Sequence, residues 1–395
     1  MNWLTEEIPG IGGVYKQTAE DFQVEEIPLY PCSGHGEHIY LWIEKSGITT
    51  RNLLTQLAKG LKVKERNLGY AGLKDARALT RQMISVPLSH LEQIEKLILN
   101  NAKILQINRH GNKLRLGHLA GNRFTITLHK TDPGALLHAQ RILQQLEKRG
   151  VPNLFGEQRY GVLGNSAELG KLLIEKNFPE FCREFIGDPQ LIRNQDWKKA
   201  AEFYRQGKLQ QTLDQLPGGM ADERHLLQLL LSCKSHQTSV FALPKKLLRL
   251  FLSAAQANYF DRLLQQRLPD LDQLRDGDIA VKHINGACFR VEYATAEQSR
   301  ADSFEISPSA PLFGSKVMLA TGKPGEAELK VLEESGLSLE SWKLGKGLTM
   351  SGERRPLRVP LNQSEILSHG KNFLTLRFIL PKGSYATSVL RELIK

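Results

Sequence analysis

The chain has 395 residues, of which 41% are hydrophobic and 24% charged, and its 53 Lys and Arg against 42 Asp and Glu give a formal net charge of +11. This length suits two domains or one large domain with an insertion, and no stretch reaches the apolar length of a membrane span. The first ten residues lack the basic start and apolar run of a secretory signal, so we expect a cytoplasmic protein. The positive charge favours a polyanionic partner without identifying one.

The N-terminal third predicts a strand, a helix and a pair of strands. Residues 34–45 end in alternating apolar positions, which is typical of a half-buried strand. Thr49 or Thr50 is placed to cap a helix whose leucines share one face. Residues 113–128 then predict two strands joined by a hairpin or a tight crossover, with Leu114 and Leu116 in the first strand.

A helix after Asp132 and Pro133, ending at Gly150, closes this region. Residues 372–395 predict one more alternating strand, a turn and a terminal amphipathic helix. Both ends of the chain therefore indicate one α+β domain. The middle is leucine-rich and helical at first, and breaks beyond residue 278 into short strands and loops, so we interpret 153–358 as an inserted second domain.

Cysteine and histidine give no sign of a metal centre or a disulfide framework. The four cysteines lie far apart without a CxxC pair, so we expect reduced thiols; they are Cys32, Cys182, Cys233 and Cys288. In the sequence HGEH, His35 and His38 with one Glu are too few ligands for a zinc site, and a structural role is favoured. We therefore predict no metal.

The stretch GYAGLKDARALTRQ, residues 69–82, places Asp75 beside Lys74 and Arg77 in a glycine-containing loop. Two adjacent cations would keep the carboxylate ionised, and an ionised carboxylate can act as a nucleophile. A surface ion pair in a turn is the more common arrangement of such residues, and it stabilises a protein little. Residue types alone leave both interpretations open.

Residues 69–82 resemble the signature motif of the TruD family of pseudouridine synthases. The sequence PNLFGEQRYG at 152–161 is similar to the family motif that opens its inserted domain, and GNRF at 121–124 and the segment 383–393 are similar to two further family segments. All four occur in the order found in the family. Residues 172–244 match no motif and stay without a predicted structure or role.

The resemblance implies a pseudouridine synthase catalytic domain with a mixed or antiparallel sheet, formed by residues 1–152 and 359–395. The insertion, residues 153–358, would be an α/β TRUD domain. The implied activity is that of an isomerase, an intramolecular transferase that converts a uridine of tRNA, uridine-13 of the D-arm, to pseudouridine. The resemblance implies that no cofactor is needed. It also implies that the expected partner is the substrate, tRNA. We expect a monomer, because the chain shows no exposed heptad pattern.

The resemblance also assigns site residues. Asp75 would be the nucleophile, attacking either C6 of the base or C1′ of the sugar or assisting glycal formation. Because an enzyme acting on a stacked base must extrude it, aromatic and amide groups have to receive the nucleotide. The residues expected to bind substrate are Phe22, Asn122, Phe124, Tyr385, Lys74 and Arg159.

Two other functions remain open from the sequence. An RNA glycosidase would use Asp75 with a second carboxylate, for which Glu157 is the candidate in the motifs. An RNA-binding protein that folds tRNA without modifying it would need neither. Release of free base would distinguish the first alternative, and binding without isomerisation the second.

Overall fold

The computed structural model describes residues 2–345 and 347–395, and its contacts divide them into two compact units. One unit comprises residues 152–358, and the other comprises residues 2–151 together with 359–395. We call the first the inserted unit and the second the sheet unit. Within the described residues, no helix is long and apolar enough to cross a membrane.

The sheet unit is built on one nine-stranded mixed sheet. Its core order is β14-β15-β7-β2-β5-β3-β6, with β1 paired to β7 and β4 to β5. Strands β2 and β5 run parallel, and the other described pairs run antiparallel. The strands are β1 (Gly12–Val14), β2 (Phe22–Pro28), β3 (His38–Lys45), β4 (Gly69–Tyr70), β5 (Leu79–Pro87), β6 (Ala102–His110), β7 (Leu119–Thr131), β14 (Asn362–His369) and β15 (Phe373–Pro381).

Among the described residues, this unit has four α-helices: α1 (Thr50–Gly60), α2 (Leu91–Glu95), α3 (Ala135–Arg149) and α13 (Ala386–Ile394). The side chain of Thr49 caps α1 by accepting a hydrogen bond from the backbone N–H of Asn52. The leucines that the sequence placed on one face of α1 are buried together with the alternating apolar residues of β3. At the other end of the chain, Glu392 of α13 is 1% exposed and accepts hydrogen bonds from the backbone N–H groups of Leu4 and Thr5 at 3.1 and 3.0 Å.

The expected strand at the start of residues 113–128 is wrong. Residues 111–118 form a loop, in which Leu114 is buried and Leu116 is 67% exposed. Strand β7 begins only at Leu119 and pairs with β2 and β15 instead. The alternating apolar residues of β7 predict a strand, but the local pattern does not determine which strands pair with it, and its partners are distant in sequence.

The inserted unit combines helices with an antiparallel four-stranded sheet. The sheet has the order β10-β9-β11-β12, formed by β9 (Ile279–Lys282), β10 (Cys288–Arg290), β11 (Ile306–Leu312) and β12 (Glu353–Pro356). Residues 172–244, for which no motif was found, are mainly helical. The α-helices of the whole inserted unit, within its described residues, are α4 (Ser166–Ile174), α5 (Phe178–Ile186), α6 (Gln195–Arg205), α7 (Leu209–Gln215), α8 (Ala221–Leu231), α9 (His236–Ala242), α10 (Lys245–Arg267), α11 (Ala294–Asp302) and α12 (Gly322–Glu334).

Short strands mark both crossings between the units, β8 (Val151–Pro152) and β13 (Arg358–Val359). The molecule as a whole therefore has the predicted α+β class, with a mixed sheet in the unit that contains both ends of the chain.

Candidate active site

Asp75 lies in the loop of residues 71–78 between β4 and β5, with its side chain 34% exposed. The Nζ of Lys16 is 2.8 Å from Oδ2, and the backbone N–H of Arg77 donates to Oδ1 at 3.1 Å. Burial raises the pKa of this carboxyl, but the hydrogen bonds from Lys16 and from the backbone N–H groups outweigh burial, so the pKa lies below its ordinary value. Asp75 is therefore an ionised carboxylate that solvent, or a substrate, can reach.

The expectation that Lys74 and Arg77 side chains hold Asp75 ionised is corrected by this geometry. The cation is Lys16, which is 59 residues away in sequence. Arg77 acts through its backbone, and the ammonium of Lys74 points away into the protein. Sequence distance hides such a partner, because the segment that follows β1 and the loop of residues 71–78 meet only in the folded sheet unit.

Lys74 links three elements beneath the loop. Its Nζ lies 2.9 Å from Oε2 of Glu26 on β2 and donates to Oδ1 of Asn122 on β7 at 2.8 Å. The Lys74 and Glu26 side chains are only 6% and 1% exposed. Burial raises the pKa of Glu26 against the attraction of the nearby ammonium. This pair fixes the position of the Asn122 amide.

A second buried lysine holds the backbone of the loop of residues 71–78. Lys45, at the end of β3, is 1% exposed and donates to the carbonyl oxygens of Ile48 at 2.7 Å and of Asp75 at 2.9 Å. Burial lowers the pKa of Lys45 to about 8, against the attraction of Asp75. The carboxylate of Asp75 thus projects from a backbone that is itself anchored.

Aromatic rings form the floor below Asp75 and Lys16. The Nζ of Lys16 lies 4.4 Å from the centroid of the Phe22 ring, a cation–π contact. The Phe22 and Phe124 rings are 6.2 Å apart in an edge-on arrangement, and Phe124 packs on Phe378 at 5.5 Å. Phe22 and Phe124 are 6% and 7% exposed, so they offer a limited surface at the base of the site.

The two remaining predicted residues are Tyr385 and Arg159. Tyr385 immediately precedes α13 in the sheet unit and is 37% exposed. Arg159 belongs to the inserted unit, in a short 3-10 helix over Glu157–Tyr160, with its guanidinium 5.1 Å from the Phe155 ring centroid. The structure therefore brings together Asp75, Lys74, Phe22, Asn122 and Phe124.

Sequence reasoning missed Lys16, Glu26 and Lys45. Two of them carried a signal: Lys45 continues the inward-facing series of β3 (Ile39, Leu41, Ile43), and Glu26 continues that of β2 (Phe22, Val24). A charged residue at a core position of an alternating strand needs a buried partner. Among the described residues, no group of three or more His, Cys, Asp or Glu side chains is arranged to hold a metal ion.

Comparison with known proteins identifies a family model, close relatives and a solved structure that this chain resembles. The sequence model of the family described as tRNA pseudouridine synthase D (TruD) matches residues 1–393. A tRNA pseudouridine synthase D of Syntrophotalea carbinolica is 52% identical, over 100% of this chain and 99% of the relative. One of Geobacter sulfurreducens is 47% identical, over 100% and 96%. A crystal structure assigned to TruD of Methanosarcina mazei superposes with a TM-score of 0.85 at 29% identity, covering 100% of this chain and 96% of the other.

Proposed function

This chain belongs to the tRNA pseudouridine synthase D (TruD) family, and from that premise we propose that Asp75 is the nucleophile with which it isomerises uridine-13 in the D-arm of tRNA. The observation that carries the proposal is the state of Asp75: an ionised, partly exposed carboxylate on an anchored loop, paired with Lys16 above the Phe22 ring. A nucleophile has to be deprotonated and accessible, and this carboxylate meets both conditions.

The isomerisation breaks the bond between N1 of uracil and C1′ of ribose and forms a bond between C5 and C1′. C5 loses its proton and N1 gains one, so the product has the composition of the substrate. Attack of the carboxylate at C6, attack at C1′ and glycal formation all require the carboxylate to be ionised first. Lys16 supports each route, since its ammonium stabilises that form of Asp75.

The uracil ring must turn within the site without escaping to water. In the proposed arrangement, Phe22 and Phe124 supply apolar walls, and the Asn122 amide, fixed by Lys74, hydrogen-bonds the base. Lys74 then acts as a positioning residue, because its ammonium is engaged with Glu26 and Asn122. Tyr385, with its exposed ring, is proposed to stack on the nucleotide, and Arg159 to hold a phosphate of the tRNA.

We also propose that the enzyme is a monomer, that it acts on tRNA in the cytoplasm, and that its chemistry requires neither a metal nor an organic cofactor. The glycosidase alternative has less support, because Glu26, the buried carboxylate that contacts Lys74 of the Asp75 loop, is engaged in an ion pair and is not free to act as a second catalytic acid.

The test is carbodiimide mapping of pseudouridine in tRNA transcripts treated with wild type, Asp75→Asn and Asp132→Asn. Asp132 is an exposed carboxylate of the same unit and provides the matched control. We expect pseudouridine at position 13 with wild type and Asp132→Asn, and none with Asp75→Asn. Modification by Asp75→Asn at the wild-type rate would refute the nucleophile assignment. Release of free uracil would favour the glycosidase, and tRNA binding without any modification would favour the RNA-folding protein.

A further inference from the structure

Leu73 is an exposed apolar side chain on the catalytic loop. It is 57% exposed although it lies two residues before Asp75, while Lys74 between them is buried. Two residues of chain span at most about 7 Å between Cα atoms. Leu73 therefore presents a leucine side chain to solvent beside the proposed nucleophile.

The backbone on both sides of Leu73 is fixed. On one side, the carbonyl of Ala71, a residue that is 2% exposed, accepts a hydrogen bond from the backbone N–H of Gly117 at 2.8 Å. On the other side, the backbone N–H of Lys74 donates to Oγ1 of the buried Thr50 at 2.8 Å. The loop thus holds Leu73 outward instead of letting it fold back onto the core, where an apolar side chain gains free energy by burial.

A uridine that reacts at Asp75 has to leave the stacked RNA, and its departure opens a gap between the neighbouring bases. Proteins that distort nucleic acids fill such gaps with apolar side chains, leucine among them. We propose that Leu73 inserts into the RNA stack at the position vacated by the target uridine. The inference rests on the proposed function, and it assigns to Leu73 the stabilisation of the extruded state.

The experiment compares two RNAs under single-turnover conditions with the full-length protein. In the first, the target uridine is stacked in a helix with 2-aminopurine as its 3′ neighbour, so extrusion raises the fluorescence. In the second, the uridine is bulged and already unstacked. Leu73→Ser is compared with wild type and with Leu137→Ser, because Leu137 on α3 has nearly the same exposure, 59%.

On the stacked RNA, we expect Leu73→Ser to lose most of the fluorescence rise and to form pseudouridine about 30-fold more slowly than wild type. On the bulged RNA, its rate should be within about threefold of the wild-type rate, because that substrate needs no extrusion. Leu137→Ser should match wild type on both. Equal rates of Leu73→Ser and wild type on the stacked RNA would overturn the inference alone. Equal slowing on both RNAs would also overturn it, since that indicates a general distortion of the loop. If wild type modifies neither RNA, the proposed function fails and the inference fails with it.

Discussion

Replacing Lys74 with Met would leave a carboxylate buried without its cation. Glu26 is 1% exposed at its side chain, and the Lys74 ammonium 2.9 Å away is its ion-pair partner. Removing one member of such a pair costs about 3–5 kcal/mol, because the remaining charge is desolvated and uncompensated. For a unit of this size, each kcal/mol lowers the melting temperature by about 2–4 °C, so we expect a loss of roughly 6–20 °C.

The same reasoning predicts a rescue and a pH dependence. Glu26→Gln in the Lys74→Met background removes the unpaired charge and should restore much of the loss. The folded-state pKa of Glu26 is already raised by burial, and without Lys74 it rises further. A group with a raised folded pKa loses its contribution to stability as pH increases through that pKa, so the deficit of Lys74→Met should be larger at about pH 8 than at about pH 5.

Differential scanning calorimetry of wild type, the two single variants and the double variant completes the cycle, and hydrogen exchange at β2 and β5 locates the loss in the sheet unit. If the two substitutions are additive, so that the double variant is less stable than Lys74→Met, the two side chains are not coupled. In that case the assignment of Lys74 as a buried positioning residue is refuted.

Two further predictions concern the loop itself. In Lys16→Met, Asp75 loses the hydrogen bond and charge that lower its pKa, so the acidic limb of the kcat/KM profile should move to higher pH. Arg77→Met keeps its backbone N–H and should leave that limb in place. An unmoved limb in Lys16→Met would contradict the role of the ion pair. Lys45→Met should lower kcat about tenfold by loosening the loop. Burial lowers the pKa of Lys45 from 10.5 to about 8. The free energy of unfolding of wild type relative to Lys45→Met, measured in urea, should therefore rise between about pH 8 and about pH 10.5. A constant difference over this range would contradict the lowered pKa of Lys45.

The sequence predicted those parts of the fold whose signals are local. The alternating residues that end at Lys45 predicted β3, and the capping residue Thr49 predicted the start of α1. Both signals are local, because alternation and side-chain caps depend on neighbouring residues. The hairpin expected around Leu114 failed because strand partners are chosen over long distances, and the residues after Leu119 pair with strands from both ends of the chain.

The site shows the same division. The motif around Asp75 predicted that the carboxylate lies in a glycine-containing loop, and the structure has this loop at residues 71–78. It did not identify Lys16, because a contact across 59 residues exists only once β1 is in place. It also misjudged Lys74, whose nearness in sequence to Asp75 says nothing about the direction in which its side chain points. For strand residues such as Glu26, the alternating pattern does indicate which way the side chain points. Because Glu26 occupies an inward-facing position of β2, the pattern could have predicted that it needs a buried cationic partner.

The position of β15 has a consequence for the synthesis of the protein. This strand lies between β14 and β7, yet it ends at Pro381, more than 200 residues after β7. While the ribosome translates the intervening residues, β7 lacks one neighbour, and an unpaired strand edge invites association with other chains. Residues 152–358, in contrast, are complete well before the last strand emerges. The chain should therefore acquire its inserted unit first and complete the nine-stranded sheet last, when β15 pairs with β7.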